Sequence, residues 1–235
     1  MWRVLVLLFW LCPAVALAGA WPQEHGAFFV SGEATLDGDQ QTGALYAEYG
    51  VRPKLTFGAD AWIDVDALHL LRYRGAGRIF VRFPLSKPDA MNKFAAELSL
   101  GADVQDLDIT PLYRAGLAWG RGLPKGWAQL EGSVEWLDGD TTTRLEGTYG
   151  RNLGQRWKAI GQLRLDHGLD VETEVEASLV WQAHPNLALK AGVAQRFGDT
   201  SQTKIVLGTW ISHKPSRKGN AKVTGGPLRR LLGLQ

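Results

Sequence analysis

The sequence contains a single cysteine, Cys12, which lies within its first twenty residues. Removal of those residues on export would leave no disulfide, no thiol nucleophile and no cysteine ligand for a metal. Long apolar runs are equally scarce, since after Ala20 none approaches the roughly 20 residues that a helix needs to span a bilayer. Any membrane insertion must therefore use strands, and the domain must be stable without covalent cross-links.

Catalytic motifs are also missing. No G-x-S-x-G or H-E-x-x-H segment occurs, and Ser212 and His213 are adjacent, so they would point to opposite faces of a strand. A lipid-modifying enzyme that uses His69 or His167 with a loop carboxylate remains a third alternative. We expect no enzyme, no cofactor and no nucleic-acid partner.

The first residues have the order of a secretory signal peptide. Arg3 precedes an apolar run over residues 4–11, and small residues follow it. This order predicts cleavage after Ala18 or Ala20 and export from the cytoplasm. We therefore expect the folded domain to begin near residue 21.

Acidic and basic residues are distributed differently along the chain. All 24 Asp and Glu lie between residues 21 and 213, whereas residues 214–235 hold six Lys or Arg and no acid. Without this tail and Arg3, the chain has 19 basic against 24 acidic residues. The predicted organisation is a signal peptide over residues 1–20, a barrel over residues 21–213, and a flexible basic periplasmic tail over residues 214–235.

Alternation of apolar and polar residues dominates the body of the chain. Leu55, Phe57, Ala59 and Ala61 alternate with Thr56, Gly58, Asp60 and Trp62, which is the period of a strand with two unlike faces. Each segment of this kind is near ten residues long, as a tilted strand that crosses a bilayer must be. The predicted strands cover residues 26–36, 42–51, 54–64, 76–85, 93–104, 111–120, 126–137, 142–151, 156–166, 171–182, 187–197 and 203–213.

The segments between these strands fall into two classes that alternate along the chain. One class is acidic and rich in glycine, as at residues 138–140, and the other is basic and usually contains proline, as at residues 52–54. Only an up-and-down meander places alternate turns at opposite ends of one body. The pattern predicts an all-β transmembrane up-and-down antiparallel β-barrel of twelve strands, with both termini at the basic end. An exported β-sandwich or solenoid is the alternative.

The face opposite the apolar one carries charges whose sign often alternates between neighbouring strands. Such charges would form cross-strand pairs inside a barrel. They either close the lumen as a network of ion pairs or line a channel with an internal field. The candidate lumen and selectivity residues are Asp60, Arg82, Glu97, Arg114, Glu131, Glu135, Arg164, Glu172, Glu174, Glu176, Lys190 and Arg196.

Tryptophans cluster near the ends of the predicted strands. Indole rings favour the interface between membrane and water, so they predict an aromatic girdle. Its expected members are Trp119, Trp127, Trp136, Trp157, Trp181 and Trp210.

Aspartates in the acidic turns are weak candidates for a metal site, because hard cations prefer carboxylate ligands. The candidates are Asp37, Asp39, Asp138 and Asp140. Asp-Gly is also a frequent signal for a tight hairpin. We therefore expect these residues to form turns and predict no resident metal.

Three parts of the chain carry a resemblance to a known group of proteins: AWPQEHGAFF, YAEYGVRPKLTFGADAW, and LAWGRGL with GWAQLEGSVEW. They resemble a family of small exported barrels of Gram-negative bacteria and, more distantly, porin-like outer-membrane transporters. The resemblance covers most of residues 21–213, implies architecture, and transfers no catalytic residue. The end of the chain departs from the family, whose members commonly finish on an aromatic residue, because 22 residues follow the last predicted strand.

These patterns favour an outer-membrane channel or passive transporter for small polar or charged solutes. The alternative is a non-conducting structural barrel with an ion-paired lumen. Expected partners are outer-membrane lipid and lipopolysaccharide, the barrel-assembly machinery, small polar solutes, and a periplasmic contact of the tail. We find no segment of the body long enough for a plug domain.

Overall fold

The chain folds into a closed barrel of twelve strands. The computed structural model describes residues 19–38, 40–66, 73–105, 108–168, 171–198 and 201–215. Most of the predicted signal peptide, most of the basic tail, Asp39 and His69 lie outside these residues. The strands are β1 (Phe28–Asp37), β2 (Gln40–Arg52), β3 (Leu55–Asp66), β4 (Tyr73–Pro84), β5 (Asn92–Gln105), β6 (Asp108–Leu123), β7 (Gly126–Leu137), β8 (Asp140–Asn152), β9 (Trp157–His167), β10 (Val171–His184), β11 (Leu187–Phe197) and β12 (Gln202–His213).

Every strand pairs antiparallel with its neighbours in sequence, and β1 pairs with β12 to close the barrel. Residue 28 lies opposite residue 213 at this seam. The predicted twelve-stranded meander is therefore confirmed, and the sandwich and solenoid alternatives are wrong. The observed strands depart from the predicted ends by at most three residues, because pairing extends them into turn-like sequence.

Alternate turns lie at opposite ends of the barrel. We call one end the acidic end; it holds the turns after β1, β3, β5, β7, β9 and β11. The other end, called the basic end, holds the remaining turns, the first residue of β1 and the last residue of β12. The acidic-end turn at Asp138 and Gly139 has φ values of 50° and 86°. Two successive residues with positive φ are typical of a type I′ hairpin turn, which explains the Asp-Gly pair. Among the described residues, no group of three or more His, Cys, Asp or Glu side chains could hold a metal ion.

The outward face of the barrel is apolar. Leu45, Leu98 and Leu117 are each more than half exposed there. Closure pairs the backbone groups of the strands and leaves no open edge, which a strand protein needs in hydrocarbon. Among the described residues, no helix is long and apolar enough to cross a membrane. The inward face carries the charged and polar side chains and therefore holds the candidate site.

Candidate functional site

All twelve predicted lumen residues lie on the inward face, where each has an ion-pair partner within 3.7 Å. The charges divide into groups along the barrel axis. Towards the acidic end they remain partly accessible to water, and towards the basic end they are buried.

The accessible group lies on β8, β9, β10 and β11. Arg164 Nε is 3.2 Å from Glu146 Oε2, and its Nη1 is 3.0 Å from Glu174 Oε1. The Arg164 side chain nevertheless keeps 38% of its surface exposed, and Glu172 keeps 49%. Arg196 joins the two carboxylates Glu172 and Glu174 at 3.7 and 3.6 Å. This part of the lumen holds space that water can enter between its charges.

Lys204 and Lys190 each reach across an intervening strand. Lys204 Nζ on β12 donates to Glu174 Oε2 on β10 at 2.9 Å. Lys190 Nζ on β11 lies 2.7 Å from Glu33 Oε2 on β1 and 2.8 Å from Glu176 Oε1 on β10. Gly208 lies beside the lysine on β12, where a built Cβ would lie 3.4 Å from Lys190 Cβ and 3.6 Å from its Cδ. The lysine side chain therefore runs close along the wall as it passes from β11 to Glu33 on β1.

Arg78 links side chains that are far apart in the sheet. Its Nη2 lies 2.5 Å from Asp60 Oδ1 on the next strand, and its Nη1 lies 2.7 Å from Glu135 Oε2 on β7, three strands away. Gly101 lies directly opposite Arg78 on β5, and a Cβ there would be 2.7 Å from Arg78 Cγ. Because residue 101 has no side chain, the Arg78 side chain can extend over β5 towards Glu135 on β7.

A largely buried charge cluster surrounds Arg82 nearer to the basic end. Its guanidinium contacts Glu48 Oε2 at 2.8 Å and Glu97 Oε2 at 2.6 Å. The Tyr46 hydroxyl donates to the same Glu48 oxygen at 2.8 Å. The Phe80 ring completes the cluster, with the guanidinium carbon 5.0 Å from the ring centroid. Because these charges are desolvated and mutually satisfied, they fix the shape of the wall and leave no free charge for a solute.

An apolar cluster lies on the inward face near the basic end. Its core is Trp127, Ile160, Val180 and Ala188, with Trp21 and Trp210 packed against it, and we call these six residues the septum. The assignment of Trp127 and Trp210 to the outer girdle is therefore wrong. Alternation places both of them on the inward face, and Trp127 is only 4% exposed.

The other four predicted girdle residues, Trp119, Trp136, Trp157 and Trp181, lie on the outward face. Trp157 and Trp181 stack with ring centroids 6.3 Å apart, and both rings are more than a third exposed. Trp119 Nε1 donates to Asn92 Oδ1 at 3.3 Å. Rings with an apolar body and a polar N–H suit a boundary between hydrocarbon and water.

The septum includes a residue that precedes the first strand. Residues 19–27, here called the N-terminal segment, enter the lumen from the basic end. Ala20 is fully buried, and the Trp21 ring packs on the septum. The Gln23 main-chain N–H donates to Thr56 Oγ1 at 2.8 Å, and the Gln23 side-chain amide donates to Glu48. Sequence reasoning missed this role, because residues 19–25 lie next to a predicted cleavage site and show no periodicity, and residues 26 and 27 were assigned to the first strand.

This architecture is shared with solved structures of membrane channels. An outer membrane channel from Pseudomonas putida F1 matches with a TM-score of 0.65 and 10% identity, over 85% of this chain and 100% of that one. The NanC porin matches with a TM-score of 0.61 and 9% identity, over 78% and 98%. The KdgM porin matches with a TM-score of 0.58 and 12% identity, over 79% and 99%.

The chain has the fold of outer-membrane porins and channels. No protein-family model matches the chain, and no curated protein sequence does. Sequence identities this low support a shared fold and nothing further. The role of the lumen is therefore argued from the side chains of this chain.

Proposed function

We propose that this chain is an outer-membrane channel for passive movement of small polar or charged solutes. The observation that carries the proposal is the accessible charge at the acidic end, where Arg164, Glu172 and Arg196 lie on the inward face near the mouth of the barrel and keep more than a third of their side-chain surface exposed. A lumen that served only to stabilise the wall would bury such charges, as the cluster around Arg82 does. Accessible charges of both signs can replace part of the hydration of a polar solute.

The comparisons support this choice of solute class. The KdgM porin is also solved in a complex with disordered oligogalacturonate, an acidic sugar chain. In the present chain, Arg144, Arg164 and Arg196 could attract carboxylates while Asp166 and Glu172 limit how tightly they bind. Weak, mixed-sign contacts suit a passive channel, because a solute has to leave as readily as it enters.

We place the barrel in the outer membrane of a Gram-negative bacterium, with its basic end towards the periplasm. The apolar outward face and the outward tryptophans support this location. Acidic-end turns would then meet lipopolysaccharide through bridging cations, and residues 214–235 would contact the periplasm or a partner there. Insertion would use the barrel-assembly machinery.

A non-conducting barrel is the second candidate, and the septum favours it. Three tryptophans, Trp21, Trp127 and Trp210, pack with three aliphatic side chains inside the barrel near the basic end. A permanently closed septum would leave the charged compartment as a blind cavity open only at the acidic end. The barrel would then have a structural or interaction role.

Solute influx into liposomes separates the two candidates. The exported protein, purified from outer membranes, is reconstituted and tested with a graded series of neutral sugars, sugar acids and amino acids. A channel admits small members of the series faster than empty liposomes do, with a size limit. Influx equal to that of empty liposomes, from protein that still shows the heat-dependent gel shift of a folded barrel, would contradict the channel.

A further inference from the structure

The septum includes one residue, Trp21, from a segment that is not part of the barrel wall. We infer that residues 19–27 are a displaceable plug, and that its withdrawal towards the basic end opens the lumen. This inference rests on the proposed channel function and adds the means by which that channel is closed.

The plug occupies a place shaped for it in the wall. A Cβ built on Gly120 would lie 2.5 Å from Trp21 Cη2 and 2.7 Å from Ala20 Cβ. On β2, four strands away, a Cβ built on Gly50 would lie 2.7 Å from Gln23 O. Two glycines on β6 and β2 thus leave room for the plug, and a side chain at either position would collide with it.

The root of the plug is held as part of the sheet. Gly26 N–H donates to Gly50 O at 2.8 Å, and Gly50 N–H donates to Ala27 O at 3.0 Å. Gly26 has a φ of 80°, a conformation that glycine adopts without steric cost. The backbone therefore turns at residue 26, which gives the plug a natural pivot next to the mouth of the barrel.

The tip of the plug is held by side chains rather than by a strand ladder. Trp21 supplies apolar packing against the septum, and Gln23 supplies the bonds to Thr56 and Glu48. Glu48 is already satisfied by Arg82 and Tyr46, so loss of the amide does not leave an isolated buried charge. Withdrawal exchanges these contacts for water and leaves the wall of the barrel intact.

A reversible cross-link tests the plug in the full chain. Gln23 N lies 2.8 Å from Thr56 Oγ1, so the two residues are in direct contact, and thiol titration of the double-cysteine variant first establishes that the disulfide forms on oxidation. The double variant Gln23→Cys/Thr56→Cys is exported, purified and placed in a planar bilayer. We expect conducting steps when it is reduced and loss of at least about nine-tenths of the open time when it is oxidised, with the two single-cysteine variants insensitive to oxidation.

Two further variants test the plug without a disulfide. Trp21→Ala should raise the open fraction at least about tenfold, which corresponds to about 1.4 kcal/mol of lost closed-state contacts. Trp119→Ala, an outward tryptophan near the same end, is its matched control. Gly120→Val should also favour opening by displacing the plug, whereas Gly122→Val, where a Cβ meets no atom within 4 Å, should leave the open fraction unchanged.

The outcomes separate this inference from the proposed function. If reduced, oxidised and Trp21→Ala proteins are all folded and none conducts, the channel function itself is overturned. If the protein conducts equally when reduced and oxidised, the channel stands and the plug is overturned. An open fraction that is the same in Trp21→Ala and Trp119→Ala would overturn the plug as well.

Discussion

Arg82 on β4 reaches over β3 to Glu48 on β2, with Nη1 and Oε2 2.8 Å apart. The intervening inward position is Gly58, and the Phe80 ring occupies the space that a side chain there would fill. Both charged side chains are essentially excluded from water. Because Gly58 has no side chain, the Phe80 ring has room to lie against the Arg82 guanidinium, and this arrangement helps to hold the buried pair in place.

Loss of one member of this pair should be costly. We expect Arg82→Met to lower the free energy of unfolding by about 3–5 kcal/mol, because Glu48 would stay buried without its cation. Arg144→Met is the matched control, since the Arg144 and Asp166 side chains are both partly exposed and such pairs contribute about 1 kcal/mol or less. Urea titration in lipid vesicles measures both, and similar losses would contradict the difference in burial.

Gly101 should not tolerate a methyl group. The Cβ of Gly101→Ala would collide with Gly77 O and approach Arg78 Cγ to 2.7 Å, so we expect a loss of about 1–3 kcal/mol and a weaker Arg78–Glu135 pair. Gly161→Ala is the control, because a Cβ at residue 161 meets no atom within 4 Å. Gel-shift melting temperatures compare the two, and an unchanged value for Gly101→Ala would mean that the strands move apart at little cost.

The three glutamates on β10 should influence ion selectivity. Replacing Glu172, Glu174 and Glu176 by Gln removes three negative charges from the lumen, including the carboxylates that pair with Arg196 and Lys204. Arg164 keeps Glu146 and Lys190 keeps Glu33. We expect the reversal potential in a salt gradient to shift towards anions. The shift is measured in the reduced double-cysteine protein, and the reference is the same protein with the three glutamates intact. An unchanged reversal potential in a conducting protein would show that ions do not pass close to β10.

Inward and outward tryptophans should respond differently to lipid. Brominated acyl chains quench indoles that touch hydrocarbon, so Trp157→Phe/Trp181→Phe should lose part of the quenchable fluorescence. Trp127→Phe/Trp210→Phe should retain that part, since both rings lie inside the barrel. If the second variant lost as much quenching as the first, the inward assignment of Trp127 and Trp210 would be wrong.

Local alternation predicted most of the barrel, because a strand in this fold has one inward and one outward face along its whole length. The same rule could have placed Trp127 correctly. It directly precedes Ala128, whose alternation partners through Trp136 form the outward face. The prediction assigned Trp127 to the girdle because it lies near a strand end, and it did not consider on which face of the strand the residue lies.

The contacts across the lumen were beyond such reasoning. Arg78 meets Glu135 because two strands between them curve and a glycine leaves space, and neither the diameter nor the gap can be read from pairs of neighbouring strands. The N-terminal segment was missed for a related reason. Its position depends on the shape of a cavity that twelve strands build together.

The pairing of β1 with β12 determines when the barrel can close during folding. Residue 28 pairs with residue 213, so the ring is incomplete until almost the entire barrel sequence has been delivered. Contacts at such sequence separation make folding slow. Residues 19–27 leave the ribosome before every strand, yet the lumen that holds them is complete only after β12 pairs with β1. Because this segment is proposed to move through the mouth at the basic end, it can enter after the ring has closed, so the first part of the barrel domain to be made becomes the last part to dock.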